Sequence, residues 1–246
     1  MTIYQFLQRG EYHVDFCEDN QVVEALDEHK LVCAVLDGCT MGQESYFAAA
    51  LGVKLLRKAV KEYHYQQLYQ PNSPPLSLPE EVKVLVASVF QGFREARNQL
   101  LLATPELLTT LAVLLLDTAR REAALLILGD ATVAVNGEVI RFEQQNQPDY
   151  LAYHLGENFE EWYARQRQQL LITDVRDISL ATDGVDSFQP ATGPASADTV
   201  GVAHVLLVNE ELSERTEMLN IKVRRLKNTF GLVPTDDLAI IRVRLP

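Results

Sequence analysis

LVCAVLDGCTMGQES, Leu31–Ser45, decides the fold. Its first six residues are all apolar and read as a buried strand, with Cys33 as a small core hydrophobe. Asp37-Gly38 then stops the run. A carboxylate at the end of a buried strand can cap the next helix, hold a turn or bind a cation. The other acidic positions of the chain decide between these roles.

Working outward, Gln21–Ala25 forms a second apolar-rich run, and Asp27-Glu28-His29-Lys30 between the two predicts a hairpin turn. From about Gly42 to Tyr65 the period changes. Tyr46, Ala49, Ala50, Val53, Leu56 and Val60 recur at helical spacing, with Lys54, Arg57 and Lys61 off that face. The prolines of Pro71–Pro79 predict a loop. A second helix follows over about Glu80–Leu102, with Val82, Leu85, Val86, Val89, Phe93, Ala96 and Leu100 on one stripe.

The middle of the chain reads as four strands: Leu111–Asp117, Ala123–Gly129, Ala131–Asn136 and Glu138–Glu143. Their short connections predict antiparallel neighbours, and Asn136-Gly137 is a strong hairpin signal. A short strand is expected at Asp177–Ala181 and a surface loop at Gln189–Asp198. A third helix is marked by Leu212, Leu219, Val223, Leu226 and Phe230, with Lys222, Arg224 and Arg225 on its solvated face. Leu238–Leu245 closes the chain as a strand. Trp162-Tyr163 predicts a helix packing its apolar side. His64, His154 and His204 have no assignable partner. The sum is an α+β layered domain, two sheets with helices outside, in one domain over residues 1–246.

Composition narrows the function. The 246 residues are 47% hydrophobic and carry a net charge of −12, with a pI near 4.9. A substantial core is within reach, while non-specific binding to nucleic acid or anionic membrane lacks its basic footprint. Cys17, Cys33 and Cys39 form neither a disulfide framework nor a zinc spacing. The N-terminus lacks the basic start and apolar run of a secretory signal, and no run spans a bilayer, so a cytoplasmic location is expected.

The acidic residues cluster at strand ends. Asp37 follows the Leu31–Leu36 strand. Gly129-Asp130 follows Ala123–Leu128. Thr182-Asp183-Gly184 follows Ile178–Ala181, Asp236-Asp237 precedes the last strand, and Glu18-Asp19 precedes the first. Any one Asp-Gly pair is explained as a turn. Several such carboxylates gathered in one place repel unless a cation joins them, and an all-oxygen set favours Mg2+ or Mn2+ over Zn2+. Calcium-binding EF-hand spacing is missing.

The order Glu18-Asp19, Asp37-Gly38, Thr109-Thr110, Gly129-Asp130, Thr182-Asp183-Gly184, Asp236-Asp237 resembles the metal-dependent protein phosphatases of type 2C (PPM), in a bacterial-type member. The resemblance covers residues 10–143 and 177–245; residues 144–176 match nothing in that pattern. It implies a four-layer α/β/β/α sandwich of two antiparallel sheets flanked by helices, with two Mg2+ or Mn2+ ions at one end. Asp37 would bridge them, the Gly38 carbonyl would bind one, Asp183 and Asp236 would complete the other, and Glu18 and Asp19 would hold metal-bound water. Asp130 would serve a third, weaker site with Asp183, to which Asp186 fits poorly. The implied activity is hydrolysis of phosphoserine or phosphothreonine in a phosphorylated protein substrate, in signalling, by a metal-activated water.

Two positions depart from that family. Val14 stands where an arginine usually grips the substrate phosphate, leaving His13 or Arg9 as substitutes. Cys39 stands where some members carry a histidine proposed as general acid, leaving that role to water or His13; Thr40-Met41-Gly42 also replaces the usual Gly-Gly. The alternative reading is therefore a pseudophosphatase that binds phosphoproteins or regulates without turnover.

Overall fold

The computed structural model describes residues 1–42, 44–69, 74–144, 148–191 and 201–246. The strands are β1 (Thr2–Gln8), β2 (Asn20–Ala25), β3 (Lys30–Leu36), β4 (Leu111–Asp117), β5 (Glu122–Leu128), β6 (Ala131–Val135), β7 (Glu138–Phe142), β8 (Gln169–Ile172), β9 (Asp177–Ala181), β10 (Phe188–Pro190), β11 (Leu232–Pro234) and β12 (Leu238–Arg244). The α-helices are α1 (Ser45–Tyr69), α2 (Leu78–Leu100), α3 (Phe159–Ala164), α4 (Val202–Leu207) and α5 (Met218–Phe230). One five-stranded sheet has the order β1-β12-β9-β6-β7 and the other β2-β3-β4-β5-β8, and every pairing is antiparallel.

The Leu31–Leu36 run is apolar throughout because both of its faces are buried. Leu31, Cys33 and Val35 point into the core between the sheets; Val32, Ala34 and Leu36 point outward under α1 and α2. β4 and β5 split their side chains the same way. Strands covered on both faces lose the polar-apolar alternation of half-exposed ones. A third core, from Tyr4, Phe6, Ala181, Leu238 and Ile240, lies under α4 and α5. The layering is thus helices, sheet, sheet, helices, as the sequence led us to expect.

Several elements differ from the sequence reading. β1 lies in a stretch that carries no strong strand signal, and it is fixed by seven register partners in β12, Thr2↔Arg244 to Gln8↔Leu238. β5 and β6 are not neighbours despite their two-residue link. Gly129, at φ +85°, turns the chain from one sheet into the other. α2 begins at Leu78, so Pro79 sits in its first turn, where no backbone N–H is required. Residues 71–73 of the proline-rich stretch and 192–198 of the expected surface loop lie outside the described residues.

α5 starts at Met218, beyond Leu212, which is in a left-handed turn at φ 67°. Lys222 is not on the solvated face of α5. It is buried, its ammonium donates to the Asn209 carbonyl, and burial together with Arg242 lowers its pKa to about 8. The Asn136-Gly137 turn behaves as expected, with both residues at positive φ (49° and 100°), as a two-residue hairpin of this hand requires. α3 buries Trp162 and Tyr163 against Phe90 of α2. Among the described residues no helix is long and apolar enough to cross a membrane.

Candidate metal centre

Asp37 is positioned by the Thr109-Thr110 pair. The Asp37 N–H donates to Thr110 Oγ1 at 3.0 Å, and the Asp37 carbonyl accepts from Thr109 Oγ1 and from the Thr110 N–H, each at 2.8 Å. Both threonines are buried, so these bonds are shielded from water. Gly38 follows because nothing larger fits: a Cβ there would lie 2.8 Å from the Glu18 carbonyl oxygen and 2.3 Å from that of Ser45. The Glu18-Asp19 segment and the end of β3 are thereby brought backbone to backbone.

Asp19 is fully withdrawn from water and accepts a hydrogen bond of 2.6 Å from Thr182 Oγ1, which itself accepts from the Ala239 N–H at 2.9 Å. The Thr-Asp-Gly motif therefore links two chain segments and places Asp183 beside Asp19. Gly184 makes this possible, since a Cβ there would overlap the Asp237 carbonyl oxygen at 1.7 Å. Asp236 is the open member, with its side chain 45% exposed and its Oδ1 3.3 Å from His13 Nε2.

The electrostatics are those of a carboxylate cluster. Burial pushes the Asp37 carboxyl well above the usual range, and the charges of Asp19, Asp183 and Asp236 push further. Burial likewise raises Asp19, opposed by the Thr182 bond and reinforced by Asp237 and Asp183. Asp183 is raised to about 6 by burial and then by Asp236 and Asp130. Asp130 is raised by burial, while the Gln144 N–H, 2.6 Å away, holds it down.

Two cavities lie at this end, one beside the cluster and one opening on it. One of 340 Å3 is bordered by His13, Glu18 and Thr40. The other, of 360 Å3, is bordered by Asp130, Asp183, Asp186 and Asp236. Neither has a lysine or arginine among the described residues that line it.

Of the residues singled out from sequence, Asp19, Asp37, Asp183 and Asp236 interact directly through their charges, with Asp130 coupled to Asp183. Glu18 borders the first cavity. Asp186 shares the second cavity, but its carboxylate is held bidentately by Arg141 at 2.8 Å and 2.8 Å. Arg9 is turned back onto the carbonyls of Val14 and Asp15, and Val14 is exposed. His13 is raised in pKa; burial opposes its charge, but Asp237, Glu18 and Asp236 outweigh it.

Two site residues escaped the sequence reading. Asp237 is buried, accepts from the Gly10 N–H at 2.7 Å and from the Glu18 N–H, and lies 2.9 Å from His13 Nδ1. Adjacent identical carboxylates give no sign of which faces in. Tyr150, from the stretch that matches no family motif, buries its ring and sets its hydroxyl against the Cys39 thiol, beside Asp37.

The donor chemistry fits a hard divalent cation: carboxylates in mutual repulsion, Asp19 among them buried, with the Gly38 backbone beside them. Among the described residues no three His, Cys, Asp or Glu side chains are already disposed as a complete ligand set.

A family model described as Protein phosphatase 2C matches residues 9–218. No curated protein matches the sequence. Among solved structures, RsbX in complex with magnesium superposes with a TM-score of 0.58 at 15% identity, covering 99% of this chain and 94% of that one. The phosphatase domain of SpoIIE from Bacillus subtilis, with a fragment of its regulatory domain, gives 0.60 at 14%, covering 98% and 62%. The SiaA-PP2C domain of Pseudomonas aeruginosa gives 0.63 at 13%, covering 99% and 86%. At such identities the likeness is one of fold.

Proposed function

Because the chain belongs to the protein phosphatase 2C family, we propose that it is a Mg2+- or Mn2+-dependent phosphatase acting on phosphoserine or phosphothreonine in a protein, with residues 1–246 as one catalytic domain. The observation that carries this reading is the convergence of Asp19, Asp37, Asp183 and Asp236 from four separate segments onto one mutually repelling cluster, with Asp19 buried at its base and Asp183 and Asp236 open to solvent. In this reading Asp37, the Gly38 carbonyl, Asp183 and Asp236 would hold two ions, and Glu18 and Asp19 would hold water bound to them. Asp130 with Asp183 offers a third, weaker position.

Bound metal would supply an activated water and neutralise the phosphoryl oxygens. The protein's own residues do the rest. Thr109 and Thr110 fix the Asp37 backbone, and Thr182 orients Asp19. His13, 3.3 Å from Asp236 and 2.9 Å from Asp237, stands at the mouth of the site as the side chain placed to give a proton to the departing alkoxide.

The test is hydrolysis of p-nitrophenyl phosphate with and without Mn2+. Turnover should require the metal, and Asp37→Asn should lower it by at least about 100-fold, as for loss of a central electrostatic group. Metal-independent turnover, or an unimpaired Asp37→Asn protein, overturns the reading.

One observation favours a second reading, a phosphoprotein-binding pseudophosphatase. Arg9 is committed to backbone carbonyls, and no guanidinium or ammonium lines either cavity among the described residues. Calorimetric Mn2+ binding without turnover would support it.

A further inference from the structure

Beside the carboxylate cluster, the 340 Å3 cavity has walls of two kinds. Tyr12, Phe16 and Tyr46 supply aromatic surface: Tyr12 is 71% and Phe16 57% exposed, and the Phe16 and Tyr46 rings lie 4.6 Å apart. Asp15, Glu18 and Glu44 supply carboxylates, and none of the three has an ion-pair partner among the described residues. Glu18 is more than nine-tenths buried and, under the phosphatase reading, serves the metal centre, which leaves Asp15 and Glu44 as the carboxylates open to a guest. Elsewhere on the molecule some exposed acids find a cation, as Glu24 does in Arg57 and Glu211 in Arg225, while others such as Glu95 and Glu138 have none among the described residues.

Aromatic faces and unpaired carboxylates around one concavity are the chemistry that receives a cationic side chain. A guanidinium or ammonium is attracted to the faces of aromatic rings and forms charge-assisted hydrogen bonds to carboxylates. A purely apolar guest would bury these carboxylates without compensation, and an acidic guest would repel them. The chain's net charge of −12 adds a long-range preference for a basic partner.

We propose that this cavity is a specificity site for an arginine or lysine side chain placed within two residues of the phosphorylated residue of the protein substrate. The inference rests on the phosphatase reading for the location of the phosphate, and it names the sequence class that the site selects. Phe16 and Tyr12 face the cation's planar or methylene surface, and Glu44 and Asp15 take its charge.

The experiment measures binding rather than turnover. Fluorescent peptides carry a non-hydrolysable phosphonate in place of phosphoserine, with Arg, Phe or Glu at each of the two positions on either side. Anisotropy titrations use the full chain in Mn2+. At one of these positions the Arg peptide should bind about tenfold tighter than the Phe peptide, and tighter still than the Glu peptide, as expected for one desolvated cation–aromatic contact with an ion pair. The Arg preference should shrink severalfold in Phe16→Ala and in the Asp15→Asn/Glu44→Gln double variant; both sets lie on the surface, and unchanged thermal transitions check that they fold. Equal binding of Arg and Phe peptides at every position overturns the proposal, and so does an Arg preference that survives both variants. Because binding is read separately from Mn2+-dependent hydrolysis, loss of this specificity and loss of the phosphatase reading give different results.

Discussion

Asp37 and Asp237 show how one residue type takes opposite roles a few ångström apart. Asp37 is held by its backbone, so its carboxylate is free to meet other acids. Asp237 spends its carboxylate on two backbone N–H groups, Gly10 and Glu18, and so fastens the N-terminal segment to the last strand. Removing an acceptor from two buried donors costs their desolvation, about 1–3 kcal/mol each. Asp237→Ala should therefore lower stability by about 2–6 kcal/mol in urea titration, and should loosen Glu18 as well. A loss below about 0.5 kcal/mol would show that the clamp is not needed. The two neighbouring aspartates were legible from sequence as a pair, but their division of labour was not, because it depends on how the turn before β12 presents each side chain.

At the scale of elements, the stretch without a family motif is organised by His154. Its Nδ1 lies 2.6 Å from Glu157 Oε1 and its Nε2 2.6 Å from Asp149 Oδ1, and Arg165 closes on Glu157. Burial works against the imidazolium, but the bonds to Asp149 and Glu157 and their charges raise its pKa above 6.5. A raised histidine stabilises the fold fully below its unfolded pKa and ceases to do so as pH rises through the folded one. The denaturation midpoint should thus fall between about pH 6.5 and the higher folded value, and His154→Gln should flatten that slope. An identical pH slope in the variant would exclude His154 as its source. The same short stretch carries Tyr150 to Cys39, so its anchoring bears on the metal centre. The sequence showed a helix at Trp162-Tyr163, but the histidine's two partners, at spacings of three and five residues, come together only because the segment turns at residues 151–154.

For the whole molecule, Arg242 is a fully buried charge in β12. Its guanidinium grips Asp177 at 2.9 Å and 2.6 Å and donates to the carbonyls of Asn209 and Val208. It joins β12, β9 and the chain after α4, far along the strand from the acidic end. Breaking one side of such a pair leaves buried polar groups uncompensated, so Arg242→Ala should cost about 3–5 kcal/mol in urea titration. A cost near that of a surface substitution would mean that water replaces the guanidinium.

The layers, and the acidic positions at strand ends, could be read from the sequence. The unbroken apolar runs of β3, β4 and β5 require cover on both faces, and the helical stripes of α1 and α2 supply it on one side. The acids at strand ends marked one oxygen-rich centre, because strand ends of a sandwich gather at its rim. Tertiary structure alone decided what local pattern does not encode. β1 is a strand because β12 pairs with it. β5 and β6 part company because Gly129 turns the chain into the other sheet. Lys222 is buried because α5 packs it toward the Asn209 carbonyl. Periodicity reports how a segment is solvated along its own axis. Which sheet a strand joins, and which of two adjacent carboxylates faces inward, depend on residues distant in the chain that only folding brings into contact.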